Sequence, residues 1–465
     1  MLSSATFHWR TANPFVTDPM AKKKKPVWFK GRMAADWVTR FTVGDDYLWD
    51  TLLLPFDAVA TAAHAEGLVD AGVLDLDELR AVKAALGRIK RKAEAGEVGV
   101  TPEDEDCHTV IERYLTAELG EIGEKIHTGR SRNDQVLAAL RLFLRDRLIT
   151  IARATSEIVE MLCGLAEKYD DALMPGYTHM QLAMPTTAGL WAAGYAELLV
   201  TDIRAVRAAH DQINTSPLGS AAGYGVPHLK LRRKKVAKTL GFREVQSNVT
   251  AVQLSRGKLE LHVAHACVQI GATLNRMASD LVLFNTSEFG FVRLPEEYTT
   301  GSSIMPQKRN PDVLELARAV YHRLTAEMHV LASVPANLPS GYHRDLQLTK
   351  AAVMQSVLTT ADLIEAFKNV LPGIEFDRDR MRQACGPELL ATGRAMEMVR
   401  DGTPFREAYR AAAKMSGLHE QVPDDVLKTY LVDGYPGRAD VAAIRKRRRP
   451  LDKWIQEAGG SDTPG

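Results

Sequence analysis

Five long stretches between Asn133 and the 370s repeat apolar residues at three- and four-residue spacing: Val136 to Tyr169, Thr186 to Thr215, Leu254 to Thr286, Pro311 to Val334 and Thr349 to Val370. Each is longer than an ordinary globular helix, and short connections separate them, so the spacing predicts a bundle of long helices. Shorter periodic segments lie before it, from Asp57 to Leu86 with Gly67 and Gly72 as punctuation and from Cys107 to Leu119. After Phe376, Gly386, Gly393, Gly402 and Pro404 break the pattern into small helices. The expected architecture is all-α with few strands, in four parts: an N-terminal extension over 1–26, a helical domain over 27–131, the long-helix domain over 132–380 and a small helical domain over 381–465. No repeat of fixed period suggests a solenoid.

Charge excludes whole classes of partner. Lys plus Arg (59) balances Asp plus Glu (58) in 465 residues, so no global field draws the chain to nucleic acid or an anionic membrane. The two basic runs, Arg232 to Lys235 and Arg445 to Arg449, lack neighbouring aromatics for base stacking and read as helix faces. No apolar run approaches the length of a membrane span without interrupting charges. Cys107, Cys163, Cys267 and Cys385 have no metal-ligand or disulfide-framework spacing, which points to a reducing, cytoplasmic setting. Residues up to Lys25 lack the continuous apolar core of a secretory signal, and Met20 is an alternative start to Met1.

Chemistry concentrates in a few polar runs. Gly301 to Asp312 reads G-S-S-I-M-P-Q-K-R-N-P-D, which can neither bury as a helix nor pair as a central strand. Its hydroxyls (Ser302, Ser303), the Lys308 cation and the Asn310 amide suit a mobile loop that grips an anion beside a proton-transfer group. The plain alternative is a basic, Pro-bounded surface turn. H-T-G-R-S-R-N-D-Q-V, His127 to Val136, sets Thr128, Arg132 and Asn133 at the opening of a long helix, where free amides and the dipole favour a carboxylate. G-Y-T-H-M-Q, Gly176 to Gln181, places His179 between Thr178 and Gln181 in a loop, where an imidazole can move a proton near neutral pH. Y-H-R-D-L-Q-L-T-K, Tyr342 to Lys350, offers Tyr342, Gln347 and Lys350 to an extended polar ligand. G-S-A-A-G-Y-G, Gly219 to Gly225, imitates a phosphate loop but lacks the strand and the Lys-Ser helix, so it reads as a tight turn near the site, with Ser220 facing ligand. No pattern calls for a metal or a cofactor.

These runs, in this order over Val27 to Ala458, resemble the fumarase/aspartase superfamily, and M-P-Q-K-x-N-P with Gln307 and T-G-R-S-R-N-D-Q are most similar to the argininosuccinate lyases within it. The resemblance implies β-elimination of arginine from argininosuccinate, leaving fumarate, in a cytoplasmic homotetramer with a twenty-helix core and composite active sites. It implies Ser302 and His179 as the base and acid, the direction between them open, with Glu315 orienting His179 and Lys308 and Asn310 holding the developing dianion. It adds Asp106 and His108 from E-D-E-D-C-H-T-V-I-E, and Thr61, which with Ala60 stands where the family often has Gly-Ser. Leu137-Ala138-Ala139, the L-A-M-P after Gln181 (Leu182 and Met184) and Leu231-Arg232-Arg233 depart from the commoner pattern beside the site. The alternatives are another fumarate-releasing relative, of the adenylosuccinate lyase, fumarase or aspartase type, and a crystallin-like structural relative without activity.

Overall fold

A computed structural model describes residues 35–415, 422–423 and 425–461. The V-W-F-K-G-R stretch and the expected extension over 1–26 lie outside the described residues. The chain opens with α1 (Asp36–Val43), α2 (Asp46–Asp70), α3 (Leu76–Glu94), α4 (Cys107–Leu119) and α5 (Glu121–Lys125). The Asp57 to Leu86 periodicity is thus two helices. The break falls at 71–75, where Asp75 caps α3 through a capping box with Glu78, and Gly67 stays inside α2. By length and composition α2 could cross a membrane, contrary to the expectation that no segment would, yet 61% of its apolar window is buried. Its Asp50 and Asp57 are fully buried as well, which fits a core helix.

The bundle starts with α6 (Arg132–Lys168), a helix of 37 residues. Ser131 begins it: its hydroxyl accepts from Asn133 N at 3.3 Å while Asp134 accepts from Ser131 N at 3.0 Å. An antiparallel hairpin follows, β1 (Leu173–Thr178) and β2 (Gln181–Thr187), and the chain returns along α7 (Ala188–Ile213). Gly189 allows this return, since a Cβ there would sit 2.6 Å from Ala166 O. A crossover carries β3 (Thr215–Ser216), α8 (Arg233–Thr239), β4 (Glu244–Val245), paired in parallel with β3, and α9 (Val249–Leu254). Then come α10 (Lys258–Phe284), β5 (Val292–Arg293), α11 (Asp312–Ser333), α12 (Leu348–Val370) and β6 (Glu375–Phe376), which pairs antiparallel with β5. The chain ends in α13 (Arg378–Gln383), α14 (Ala391–Arg400), α15 (Phe405–Met415) and α16 (Val441–Ser461).

Five long helices, α6, α7, α10, α11 and α12, pack around one apolar core that extends into α2, α3 and α4. Gly271 lets α11 approach α10, where a Cβ would meet Leu324 Cδ1 at 2.7 Å. The basic run of α16 clasps the bundle: Arg445 pairs with Glu160 at 2.7 Å and with Glu167 at 2.5 Å, and Arg448 with Glu160 at 2.6 Å. The other basic run is also spent locally, Arg233 on the carbonyls of Leu218, Ser247 and Gln246 and Lys235 on Asp70. The four cysteines are free thiols, three of them buried.

Candidate active site

Chain direction fixes where the polar runs go. α6 starts beside the start of α12, and Arg141 in its third turn reaches Thr215, Gln246 and Ser255 at the end of α7 and the entry to α10. Its far end carries the hairpin, where Tyr177 meets Phe289 beyond α10, ring centroids 5.7 Å apart. α11 runs back against α10, Asn275 donating to Arg318 O at 2.6 Å. One end of the bundle therefore holds the starts of α6, α10 and α12, and the other holds the hairpin and the loop before α11. At about 1.5 Å per residue, the 37 residues of α6 separate the ends by about 55 Å.

At the first end lies a cleft of about 190 Å3. Asp106, His108, Arg132, Asn133, Tyr342, Gln347 and Lys350 line it, as do Asp46, Asp50, Glu105, Arg256 and Arg344, which sequence reasoning did not find. A signal was available for two of these: Asp46 and Asp50 are spaced i, i+4 in an otherwise apolar stretch, so they share a helix face.

Below the cleft, Asp57 is wholly buried and surrounded by donors: His108 Nδ1 at 2.7 Å, Gln135 Nε2 at 3.1 Å and Thr61 Oγ1 at 3.4 Å. Burial opposes a charged His108, but Asp57 and then Asp106 and Asp50 outweigh it and raise its pKa. Among the described residues its Nε2 has no hydrogen-bond partner. Thr61 also accepts from Arg130 at 2.9 Å and is fully buried. Its hydroxyl holds this network together and is not open to ligand. Asp106 caps α4 through Thr109 N at 2.8 Å and binds Arg132 Nη1 at 2.7 Å. Burial works against its charge, yet His108, Arg132 and Thr109 keep its pKa below the usual carboxylate range.

Lys350, 5% exposed, is held between Asp46 at 2.7 Å and Asp50. Gln347 Nε2 donates to Thr42 O at 2.9 Å, and the Arg256 guanidinium lies 4.9 Å over the Tyr342 ring. Asp50, Cys107 and His108 bring ligand-type atoms within 4.8 Å of one another. Asp50 already neutralises Lys350 there, and burial beside Asp50 and Asp57 pushes the Cys107 thiol far up, so these donors suit a cation poorly. Thr128 is half-buried beside the cleft, its carbonyl 3.0 Å from His64 Nε2. Ser220 does not face ligand as expected: it is fully buried in a turn whose amides at Gly219 and Ala221 donate to Asp134.

The remaining candidates sit at the other end. Thr178, His179 and Gln181 are exposed on the hairpin tip, which is a two-residue turn and not an irregular loop. His179 and Met180 both have positive φ, 54° and 60°, a conformation that side chains resist. Ser302, Lys308 and Asn310 lie on a loop pinned at its base by Thr300 N to Asn310 O at 3.0 Å and the reciprocal bond at 2.8 Å. Ser302 Oγ accepts from Met305 N at 3.2 Å and Ile304 N at 3.4 Å. Lys308 and Glu315 are exposed. Among the described residues no hydrogen bond or ion pair joins His179 to Glu315, and none of the proton-transfer candidates lines the cleft of its own chain.

A family model described as Lyase matches residues 38–325. The argininosuccinate lyase of Thermotoga neapolitana is 43% identical over 391 residues, covering 84% of this chain and 98% of that protein. That of Sorangium cellulosum is 44% identical over 422 residues, 90% and 98% of the two chains. Among solved structures, EDDS lyase in complex with formate superposes with a TM-score of 0.75 at 24% identity, covering 92% of this chain and 94% of that one. Class II fumarase from Schistosoma mansoni gives 0.68 at 14%, covering 83% and 94%. With the fold and the sequence relatives in agreement, the chain belongs to the argininosuccinate lyase family of the fumarase/aspartase superfamily, a family of carbon–nitrogen lyases.

Proposed function

We propose that this chain cleaves argininosuccinate to arginine and fumarate by β-elimination, at sites built from more than one subunit of a homotetramer. One observation carries the composite reading. The polar cleft and the proton-transfer candidates occupy opposite ends of α6, about 55 Å apart, so a chain cannot bring its own His179 or Ser302 to its own cleft. Two further features support assembly. Five long helices per chain become twenty in four copies, and α11 buries only Leu314, Ala317, Leu324 and Leu331, leaving Val313 and Leu316 exposed.

In such a site Ser302 removes the proton next to a succinate carboxylate. The two backbone amides aimed at its Oγ favour the ionised hydroxyl. The C–H electron pair passes into that carboxylate as an aci-dianion, held by Lys308 and Asn310. It then forms the C=C bond of fumarate as the C–N bond breaks. His179, oriented by Glu315, protonates the departing guanidino nitrogen. Thr128, Arg132, Asn133, Thr178, Gln181, Tyr342, Gln347 and Lys350 position the substrate, with Asp106 and His108 behind them. The reaction takes place without a metal or cofactor, in the cytoplasm.

The deciding experiment incubates pure protein with argininosuccinate and follows fumarate absorbance, with Ser302→Ala and His179→Asn as controls. Fumarate release well above both controls is expected. A rate no higher than theirs, or release from adenylosuccinate instead, overturns the assignment.

A further inference from the structure

The cleft is lined by as many cations as carboxylates, four of each, but they are unevenly paired at its floor. One ammonium, Lys350, serves two carboxylates, Asp46 at 2.7 Å and Asp50. Asp50 has no exposed side-chain surface and also accepts from Cys107 N at 3.4 Å, whereas the Asp46 side chain keeps 17% of its surface open and lines the cleft. Asp46 is the less enclosed of the two carboxylates and faces the cavity, where Arg344 and Arg256 also act on its charge. Its open surface is where a ligand ammonium can reach a carboxylate of the cleft.

The cations of the cleft are unequally occupied. Arg132 gives its two terminal nitrogens to Asp106 and Thr109, Arg344 donates to Thr42 O, and Lys350 is shared as described. Arg256 differs: it is 7% exposed, lies against the Tyr342 ring and lines the cleft, yet its Nε and Nη1 are buried without a hydrogen-bond partner among the described residues. Glu260 acts on it electrostatically but accepts none of these hydrogens. Two unspent donors on a buried guanidinium match a carboxylate. An open carboxylate and a guanidinium with unpartnered donors in one cavity together describe a receptor for a zwitterion.

We infer that Asp46 and Arg256 clamp the α-amino acid end of the substrate, Asp46 taking the ammonium and Arg256 the carboxylate, and so select ligands that carry both groups. This rests on argininosuccinate being the substrate, since its arginine half ends in that zwitterion. Asp46 is then a specificity residue beyond its contact with Lys350, and the reaction itself proceeds at the opposite end of the ligand.

Three probes separate the two contacts: arginine, agmatine, which lacks the carboxylate, and 5-guanidinopentanoate, which lacks the amine. Calorimetric titration of the full-length protein should show arginine binding tightest. Asp46→Asn should weaken arginine and agmatine at least about tenfold and leave 5-guanidinopentanoate within a factor of about two, since only the first two present an ammonium. Arg256→Gln should produce the opposite pattern, sparing agmatine. Asp46→Ser, checked for an unchanged melting temperature, should repeat the Asp46→Asn pattern without the isosteric amide. Equal weakening of all three probes in a variant that melts like the parent overturns the clamp, as does arginine binding that ignores both substitutions. A parent protein that neither releases fumarate nor binds arginine overturns the substrate reading and the clamp with it, whereas fumarate release without the probe pattern overturns the clamp alone.

Discussion

Asp57 Oδ2 lies 2.7 Å from His108 Nδ1, and the carboxylate has no exposed surface. The contact fixes the imidazole, which lines the cleft, and the strength of the bond depends on the charge of Asp57. Asp57→Asn keeps the shape and removes the charge. It should destabilise the protein by about 2–3 kcal/mol in urea denaturation and lower kcat/KM for argininosuccinate by at least about tenfold. Unchanged stability would mean that the bond from Asp57 to His108 contributes nothing to the fold.

The two ends of α6 make a sharper prediction for Ser302 and His179. If each cleft is served by other subunits, Ser302→Ala and His179→Asn proteins, each inactive alone, should regain activity when unfolded together and refolded as a mixture, because hybrid tetramers then contain some intact sites. Activity that stays at the level of the separate variants would place both residues in one chain's contribution.

The hairpin tip predicts a separation of fold from chemistry. Left-handed backbone at His179 and Met180 costs about 1 kcal/mol or more at each, so Met180→Gly should raise stability by about 1 kcal/mol with the imidazole kept. His179→Asn, a residue that tolerates this backbone, should leave the melting temperature unchanged while abolishing fumarate release. A large loss of stability in His179→Asn would make the histidine structural.

Acid should loosen the clasp of α16. Burial, and then Arg145, lowers the His210 pKa from 6.5 to about 4 where the ring packs edge-on to Trp454, with Asp211 3.8 Å from Nδ1. A depressed histidine is neutral when folded and takes a proton more readily when unfolded. Its contribution is therefore intact above pH 6.5 and lost as pH falls from 6.5 towards 4. Wild type should lose about 2 kcal/mol between pH 7 and pH 5 at this residue, and His210→Phe should lose correspondingly less by urea titration.

Asp46 adds a binding counterpart at nearly the same pH. Burial raises its carboxyl to about 6 against the pull of Lys350, with Asp50, Arg344 and Arg256 as the other charges that face it. The ionised form exists above that value, so arginine affinity should hold above pH 6 and decline as pH drops through it. Asp46→Asn should flatten the profile, and an identical decline in the variant would assign the titration elsewhere.

How much of this was legible in the sequence depended on the kind of information each part needs. The long helices were, because periodicity is local: Thr349 to Val370 was expected and Leu348–Val370 is found. So was the start of α6, expected at the His127 to Val136 run and found capped by Ser131. The split between α2 and α3 was legible at Gly72, which lies in the break, whereas Gly67 looks like a breaker in one dimension and is tolerated within a packed helix. Among the residues that line the cleft, Arg132, Tyr342 and Lys350 were singled out by their motifs, whereas Asp46 and Arg256 were not. Their meaning comes from partners far along the chain, Lys350 for one and Tyr342 for the other, and no spacing rule encodes those. Thr61 and Ser220 failed in the opposite sense: hydroxyls next to recognisable motifs proved to be buried supports.

The length of α6 also has a kinetic meaning. A rigid 37-residue helix sets the effective concentration of a chain's His179 at its own cleft to nil, because no fluctuation of the intact fold spans that distance. With the composite site proposed above, turnover becomes a property of association: below the concentration at which subunits stay together, specific activity should vanish while every helix remains folded.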